Sequence, residues 1–209
     1  MKDFPRLYAI IDRDSFAAAA AEAAMAQFAG ELLAGGVTLI QYRNKRDGGC
    51  EMLSEARALR RVCADFGGVR LIMNDRADLC MAAGFHGVHL GQDDLSAASA
   101  RLLVGGNRWV GISTHNPGQA AEAERLPVDY IAVGPVYATA SKADPDPAIG
   151  LEGVREARQL TGKPLIAIGG ITRANCRAVL EAGADAAAVI ADLLAEPRAA
   201  AAEFLRILS

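Results

Sequence analysis

No run of consecutive apolar residues in this chain of 209 reaches the roughly 18–20 needed to cross a bilayer, and no membrane-spanning helix is expected within it. Basic residues are not in excess either. Lys and Arg number 22 against 25 Asp and Glu, a net charge of −3 that gives no electrostatic footprint for nucleic acid. The alanine-rich stretch 17–26 follows a strand-like segment and lacks the charged, apolar and cleavage-site order of a signal peptide. Cysteine is sparse: Cys50, Cys63, Cys80 and Cys176 show no CxxC spacing and fall in helix-like segments. They read as buried free thiols of a protein in the reducing cytoplasm. Linkers, low-complexity runs and composition breaks are missing as well, so residues 1–209 read as one domain. Several chemistries lack their groups. There is no nucleophile with an adjacent base and no Glu pair suited to glycoside hydrolysis. No lysine falls within a strand-like run, as a Schiff-base aldolase would want. His86 and His89 bracket the fourth such run at a spacing that fits no zinc helix, and each reads as a core or supporting residue.

What is present is a hydrophobic fraction of 52%, enough for a sizeable core, arranged in regular alternation. Strand-like runs occur at Leu7–Ile11, Val37–Tyr42, Arg70–Met73, Gly87–Leu90, Trp109–Ser113, Tyr130–Val136, Pro164–Ile168 and Ala186–Ile190. Helical periodicity fills the intervals, as at Glu51–Phe66, Leu151–Leu160 and Ala174–Ala182. Gly35-Gly36 and Gly183 close helices, and Asn116-Pro117 opens one. Eight such units in this length predict an α/β fold of the (β/α)8 TIM-barrel type, with an open doubly wound sheet as runner-up. The stretch 138–150 is the longest without a pattern and reads as a candidate mobile loop.

In a barrel, function gathers at the carboxyl ends of the strands. Those ends deliver Gln41, Arg43 and Lys45; then Asn74 and Asp75; then Gln92 and Asp94; then Ser113 and His115. Thr139, Ser141 and Lys142 follow the sixth, and Gly169-Gly170 the seventh. Read singly, Asp75 and Asp94 are helix caps, and Arg43 and Lys45 a solvated strand end. Two carboxylate-bearing ends in succession, with three cations and several hydroxyls, suit a polyphosphate clamped with Mg²⁺. The glycine pair lets backbone amides approach an anion.

The motifs LYAIID, QYRNK, LIMNDRADL, GFHGVHLGQDD, VGISTH, DYIAVGPVYATASK and PLIAIGGIT run in order from Leu7 to about Ala195. In these the chain resembles the thiamine-phosphate synthase (thiamine-phosphate pyrophosphorylase) family. The resemblance implies a transferase of thiamine biosynthesis that joins a pyrimidine diphosphate to a thiazole phosphate and releases pyrophosphate. It implies Mg²⁺ at Asp75 and Asp94, and a pyrimidine diphosphate held by Gln41, Tyr42, Arg43, Asn44, Lys45, Asn74, Ser113 and Lys142. Of these, Arg43, Lys45, Ser113 and Lys142 would be catalytic. Thr139, Ala140, Ser141, Gly170, Val189, Ile190 and Ala191 would lie by the thiazole phosphate. The implied step is dissociative: pyrophosphate leaves, and the thiazole nitrogen captures a pyrimidine carbocation. The partners expected are these small molecules, with no nucleic acid and no membrane. An apolar stripe on an outer helix would allow a homodimer.

A thiazole tautomerase of the same superfamily, which uses a histidine at the position of His115, is the alternative. A binding paralogue without catalysis is another. The pairing of Asn74-Asp75 with Gln92–Asp94 and Lys142 favours the synthase. Against the family pattern, Asn44 stands where Glu is common, Ser141 where Thr is usual, and Ala191 where a serine follows Val-Ile. The last removes a hydroxyl donor to an anion, a loss of about 1.5–3 kcal/mol. Ala191→Ser is expected to lower the Michaelis constant for the thiazole phosphate; an unchanged constant would show that the hydroxyl is not missed.

Overall fold

A computed structural model of the protein describes residues 4–46, 48–139 and 146–209. The strands are β1 (Leu7–Asp12), β2 (Leu39–Arg43), β3 (Arg70–Asn74), β4 (Gly87–Leu90), β5 (Trp109–Thr114), β6 (Tyr130–Val133), β7 (Leu165–Ile168) and β8 (Ala186–Val189). All neighbours are parallel, and β1 pairs with β8 to close the ring in sequence order. The TIM barrel therefore stands over the open doubly wound sheet. Its helices are α1 (Ala21–Ala34), α2 (Gly49–Ala64), α3 (Ala77–Ala83), α4 (Ala97–Val104), α5 (Pro117–Arg125), α6 (Gly150–Leu160), α7 (Cys176–Glu181) and α8 (Pro197–Leu208).

Local signals account for many boundaries. Asn116 caps α5 by accepting from the Gln119 amide, with Pro117 in the first turn. Gly35 follows α1, and its amide bonds back to the Glu31 and Leu32 carbonyls. The sixth strand is shorter than its apolar run, ending at Val133. Beyond it Pro135 has no N–H to continue the ladder. The thiols are all free, and Cys63, Cys80 and Cys176 are buried; Cys50, in the first turn of α2, is exposed, contrary to expectation. On α4, Leu102 and Leu103 are exposed. No helix among the described residues is long and apolar enough to cross a membrane.

Side chains alternate between two cores, as strand geometry requires. Those pointing outward, among them Leu7, Ala9, Ile11, Ile40, Tyr42, Leu71 and Val189, pack against the helices. Those pointing inward form a small separate core of Tyr8, Ile10, Leu39, Ile72, Tyr130, Ala132, Ile166, Ala186 and Ala188. At the amino end Phe4 stacks on Trp109 with ring centres 5.2 Å apart, and the Arg70 guanidinium lies 4.2 Å from the same ring. This floor leaves the opposite end of the barrel for ligands.

The interior admits two tyrosines only because neighbours are small. A Cβ placed on Gly111 would fall 2.1 Å from Cζ of Tyr130, so the tyrosine ring occupies the space a side chain there would take. Gly111→Ala should therefore destabilise the fold by about 1–3 kcal/mol or more through overpacking. Urea titration reads this as a lower midpoint; an unshifted midpoint would mean that the ring is free to move aside.

Candidate active site

At the carboxyl end of the barrel lies a cavity of about 540 Å³, lined by residues from all eight strands and the loops after them. That size suits small-molecule ligands. It contains most of the residues singled out in the sequence: Gln41, Arg43, Lys45, Asn74, Asp75, Gln92, Asp94, Ser113, His115, Thr139, Gly170, Ile190 and Ala191. Ala140, Ser141 and Lys142 fall outside the described residues, as does much of the loop 138–150.

Strand parity corrects two assignments. Gln41, Arg43 and Lys45 point into the cavity, so the intervening Tyr42 and Asn44 turn their side chains away from it. Tyr42 donates its hydroxyl to Glu55 of α2, and Asn44 Nδ2 lies 3.1 Å from the same carboxylate. Arg13 completes this buried group with a 2.6 Å bond to Glu55. Asn44 also accepts from the Arg46 amide at 2.8 Å, which ties down the loop that carries Lys45. These residues support the site from behind. By the same parity the Val189 side chain faces the helices, leaving Ile190 and Ala191 at the cavity wall.

The cations arrive already paired. Arg43 Nη1 is 2.5 Å from Asp12, the buried last residue of β1, and Lys45 Nζ is 2.5 Å from Asp75. Neither Asp75 nor Asp94 is a helix cap. Arg76 stands at the start of α3 without a side-chain cap bond, and α4 is capped by Ser96. Asp75 is instead the only described non-glycine residue with positive φ, at 60°. The Arg76 amide bonds to the Asn74 carbonyl across it at 2.7 Å, a γ-turn of the rare, strained kind. Such strain, of order 1–3 kcal/mol, gathers at functional positions.

The turn sets Asp75 against Asp94. Burial first, then the hydrogen bond to Asp94, pushes the Asp75 carboxyl up to about 6 against the pull of Lys45. Burial works in the same sense on Asp94, but the bond to Asp75, the Gly91 amide at 2.7 Å and Lys45 outweigh it and hold Asp94 below the usual range. Two neighbouring acids are an arrangement a divalent cation can take over. Among the described residues no cluster of three or more His, Cys, Asp or Glu forms a metal cage. The remaining ligands would have to come from a bound anion and water, as Mg²⁺ prefers. Beside the pair, Asn74 Nδ2 is buried with no hydrogen-bond partner among the described residues. A buried donor left in this way awaits an acceptor.

Behind the acids, His89 is fully enclosed. Burial lowers it to about 4, so the imidazole is neutral. It touches the Tyr130 hydroxyl at 3.1 Å and Ser113 Oγ at 2.9 Å. Gln92 Nε2 donates to the Ser113 carbonyl at 2.5 Å. His115, next to Asn116, donates from Nδ1 to the Gly134 carbonyl at 2.7 Å and lies 3.5 Å from Asp146. Across the cavity Gly169 and Gly170 have φ of 98° and 65°. A Cβ on Gly170 would be 2.5 Å from the Ala138 carbonyl, so the pair is also required by the close approach of two loops. Thr172 and Asp192 extend this wall. Sequence reading passed over Asp12, Tyr8 and Tyr130. Asp12 ends LYAIID and was legible as one more polar strand end, whereas tyrosines inside apolar strands give no signal.

Along nearly its whole length the chain is similar to known proteins. The family model described as thiamine monophosphate synthase matches residues 7–193. The thiamine-phosphate synthase of Koribacter versatilis is 59% identical over 204 residues, covering 98% of this chain and 96% of that one. That of Chloroflexus aurantiacus is 45% identical, covering 84% and 81%. The solved thiamine phosphate pyrophosphorylase from Pyrococcus furiosus superposes with a TM-score of 0.84 at 32% identity, covering 97% of this chain and 95% of that one.

The influence of one acid on the other has a measurable sign. Asp94→Asn removes an influence that raises Asp75, so the Asp75 carboxyl, followed by carbon NMR, should titrate below 6. In the parent protein the folded-state value lies above the ordinary carboxylate value of about 3.9. Stability from this group is thus complete at lower pH and lost as pH rises through about 6. An Asp75 midpoint that does not move in Asp94→Asn would show that the two acids are not coupled.

Proposed function

Because the chain belongs to the thiamine monophosphate synthase family and is a transferase, we propose that it condenses 4-amino-2-methyl-5-(diphosphooxymethyl)pyrimidine with a phosphoethyl-thiazole, giving thiamine phosphate and pyrophosphate. The observation that carries this reading is the pair of neighbouring acids Asp75 and Asp94 beside Lys45, next to the unpartnered Asn74 amide. That group of residues is built for an anion with a cation, and a diphosphate is the anion the reaction releases.

In the proposed reaction the methylene–oxygen bond breaks first, and its electron pair leaves on the diphosphate. The pyrimidine ring delocalises the cation left behind, and the lone pair of the thiazole nitrogen then forms the new carbon–nitrogen bond. The chain's own residues need only bind, orient and stabilise charge. Arg43, Lys45 and Lys142 would attract the departing diphosphate, with Asn74 donating to one of its oxygens. Gln41 and Ser113 would hold the pyrimidine edge. Thr139, Ser141, the Gly170 amide and the backbone of residues 189–191 would hold the thiazole phosphate on the far wall. Asp75 and Asp94 are the residues that would hold Mg²⁺, which when bound would offset the leaving group's charge. Preorganised charges of this sort are typically worth about 3–4 kcal/mol each, or 10²–10³ in rate. No general base is required, and the burial of His89 as a neutral ring accords with that.

Isomerisation of the thiazole, the alternative, would employ His115 and has no use for the paired acids. The deciding assay supplies both synthetic substrates with Mg²⁺ and then with EDTA. Thiamine phosphate is expected only in the first. Asp75→Ala and Asp94→Ala should each lower turnover by about 10²-fold or more while circular dichroism stays unchanged. Turnover that survives EDTA, or a variant that keeps the parent rate, would overturn the role given to these two acids.

A further inference from the structure

Five side chains form a single line of hydrogen bonds through the barrel interior. Gln41 Nε2 donates to the Tyr8 hydroxyl at 2.8 Å, and the Tyr8 and Tyr130 hydroxyls are 2.9 Å apart. Tyr130 reaches His89 Nδ1 at 3.1 Å, and His89 Nε2 reaches Ser113 Oγ at 2.9 Å. Tyr8, Tyr130 and His89 are buried. Among the described residues their side-chain polar atoms have no other hydrogen-bond partner. The two terminal groups, Gln41 and Ser113, line the cavity with hydrogen-bonding capacity to spare.

Each inner group of this line has one proton to give: a phenol, a second phenol and a neutral imidazole. With Gln41 donating, Tyr8 gives its proton to Tyr130, Tyr130 gives its own to His89 Nδ1, and His89 gives its Nε2 proton to Ser113. The Ser113 proton is then free to point into the cavity, while Gln41 offers its carbonyl oxygen there. If the Gln41 amide flips, every proton runs the other way. Gln41 then offers its NH₂ to the cavity and Ser113 its lone pairs. A mixed arrangement sets two protons or two lone pairs face to face in a buried place, where an unmade bond costs the most.

We propose that Tyr8, Tyr130 and His89 are positioning residues that couple Gln41 to Ser113, so that the two ends always show a ligand opposite hydrogen-bonding character. When one accepts, the other donates. The ligand class this fits is a neutral heteroaromatic ring with one donor and one acceptor to satisfy, such as an amino group and an unprotonated ring nitrogen. A ring protonated on that nitrogen carries two donors and matches neither sense of the line. In its ligand this inference rests on the proposed pyrimidine site; the coupling itself is a property of the protein alone.

Nitrogen NMR of histidine-labelled full-length protein tests the coupling without substrate. The chain has 3 histidines. His86 accepts the Leu71 amide proton on Nδ1 at 2.9 Å and so serves as a fixed reference for a ring protonated on Nε2. In the parent, His89 should likewise carry its proton on Nε2. In Gln41→Glu at alkaline pH, the carboxylate can only accept, so the line reverses and the His89 proton should sit on Nδ1. A His89 ring still protonated on Nε2 in Gln41→Glu would overturn the proposal. Should Gln41→Glu fail to fold, Tyr130→Phe keeps the ring and cuts the line. It should lower kcat/KM for the pyrimidine diphosphate about tenfold in the parent and less than about twofold when Ser113→Ala is already present. Equal losses in both backgrounds would overturn the proposal. A parent protein with no turnover would instead count against the proposed function, and the tautomer comparison would still decide the coupling.

Discussion

Everything in this molecule depends on the parity of side chains in a closed parallel barrel. Each strand residue must face either the barrel axis or the helices, and closure leaves no edge where the choice can be relaxed. The rule extends past the last ladder bond of β2. Gln41, Arg43 and Lys45 reach the cavity, while Tyr42 and Asn44 meet Glu55 and Arg13 behind it. One strand thus supplies alternately the groups that would meet a ligand and the groups that hold the strand end still. The inner compartment is narrow, and Tyr130 fits within it because Gly111 leaves room for its ring.

The site is electrostatically prepared without carrying a large unbalanced charge. Arg43 is matched by Asp12 and Lys45 by Asp75, which lies against Asp94. Burying any of these ions alone would be expensive, and pairing limits that cost. A bound diphosphate would exchange partners within this set. The cost of gathering like groups has been met in folding, which is what preorganisation means in physical terms.

Much of the architecture was legible before any coordinates. The count of eight apolar runs, the Asn116-Pro117 start and the Gly183 stop are local signals, and the fold agrees with them. The site was legible wherever polarity interrupts an apolar strand end, as at Gln41, Arg43, Asn74, Asp75, Asp94 and Ser113. Three things were not. The direction of Tyr42 and Asn44 is hidden because neighbouring polar residues give no hint of parity until the strand register is known. The role of Tyr8 and Tyr130 is hidden because a tyrosine in a strand looks like any β-forming residue. The strained turn at Asp75 is hidden because the sequence does not announce a left-handed backbone at a residue with a side chain.

That backbone has an evolutionary side. At φ of 60° a glycine would sit at Asp75 with less strain than aspartate does. The backbone angle alone favours glycine there, and the carboxylate is kept by its ion pair with Lys45 and its place against Asp94. Those partners are groups of the site itself, which ties the aspartate to the site more than to the barrel. Among descendants of this chain, a glycine after Asn74 would mark a barrel that has kept its shape and been released from its work.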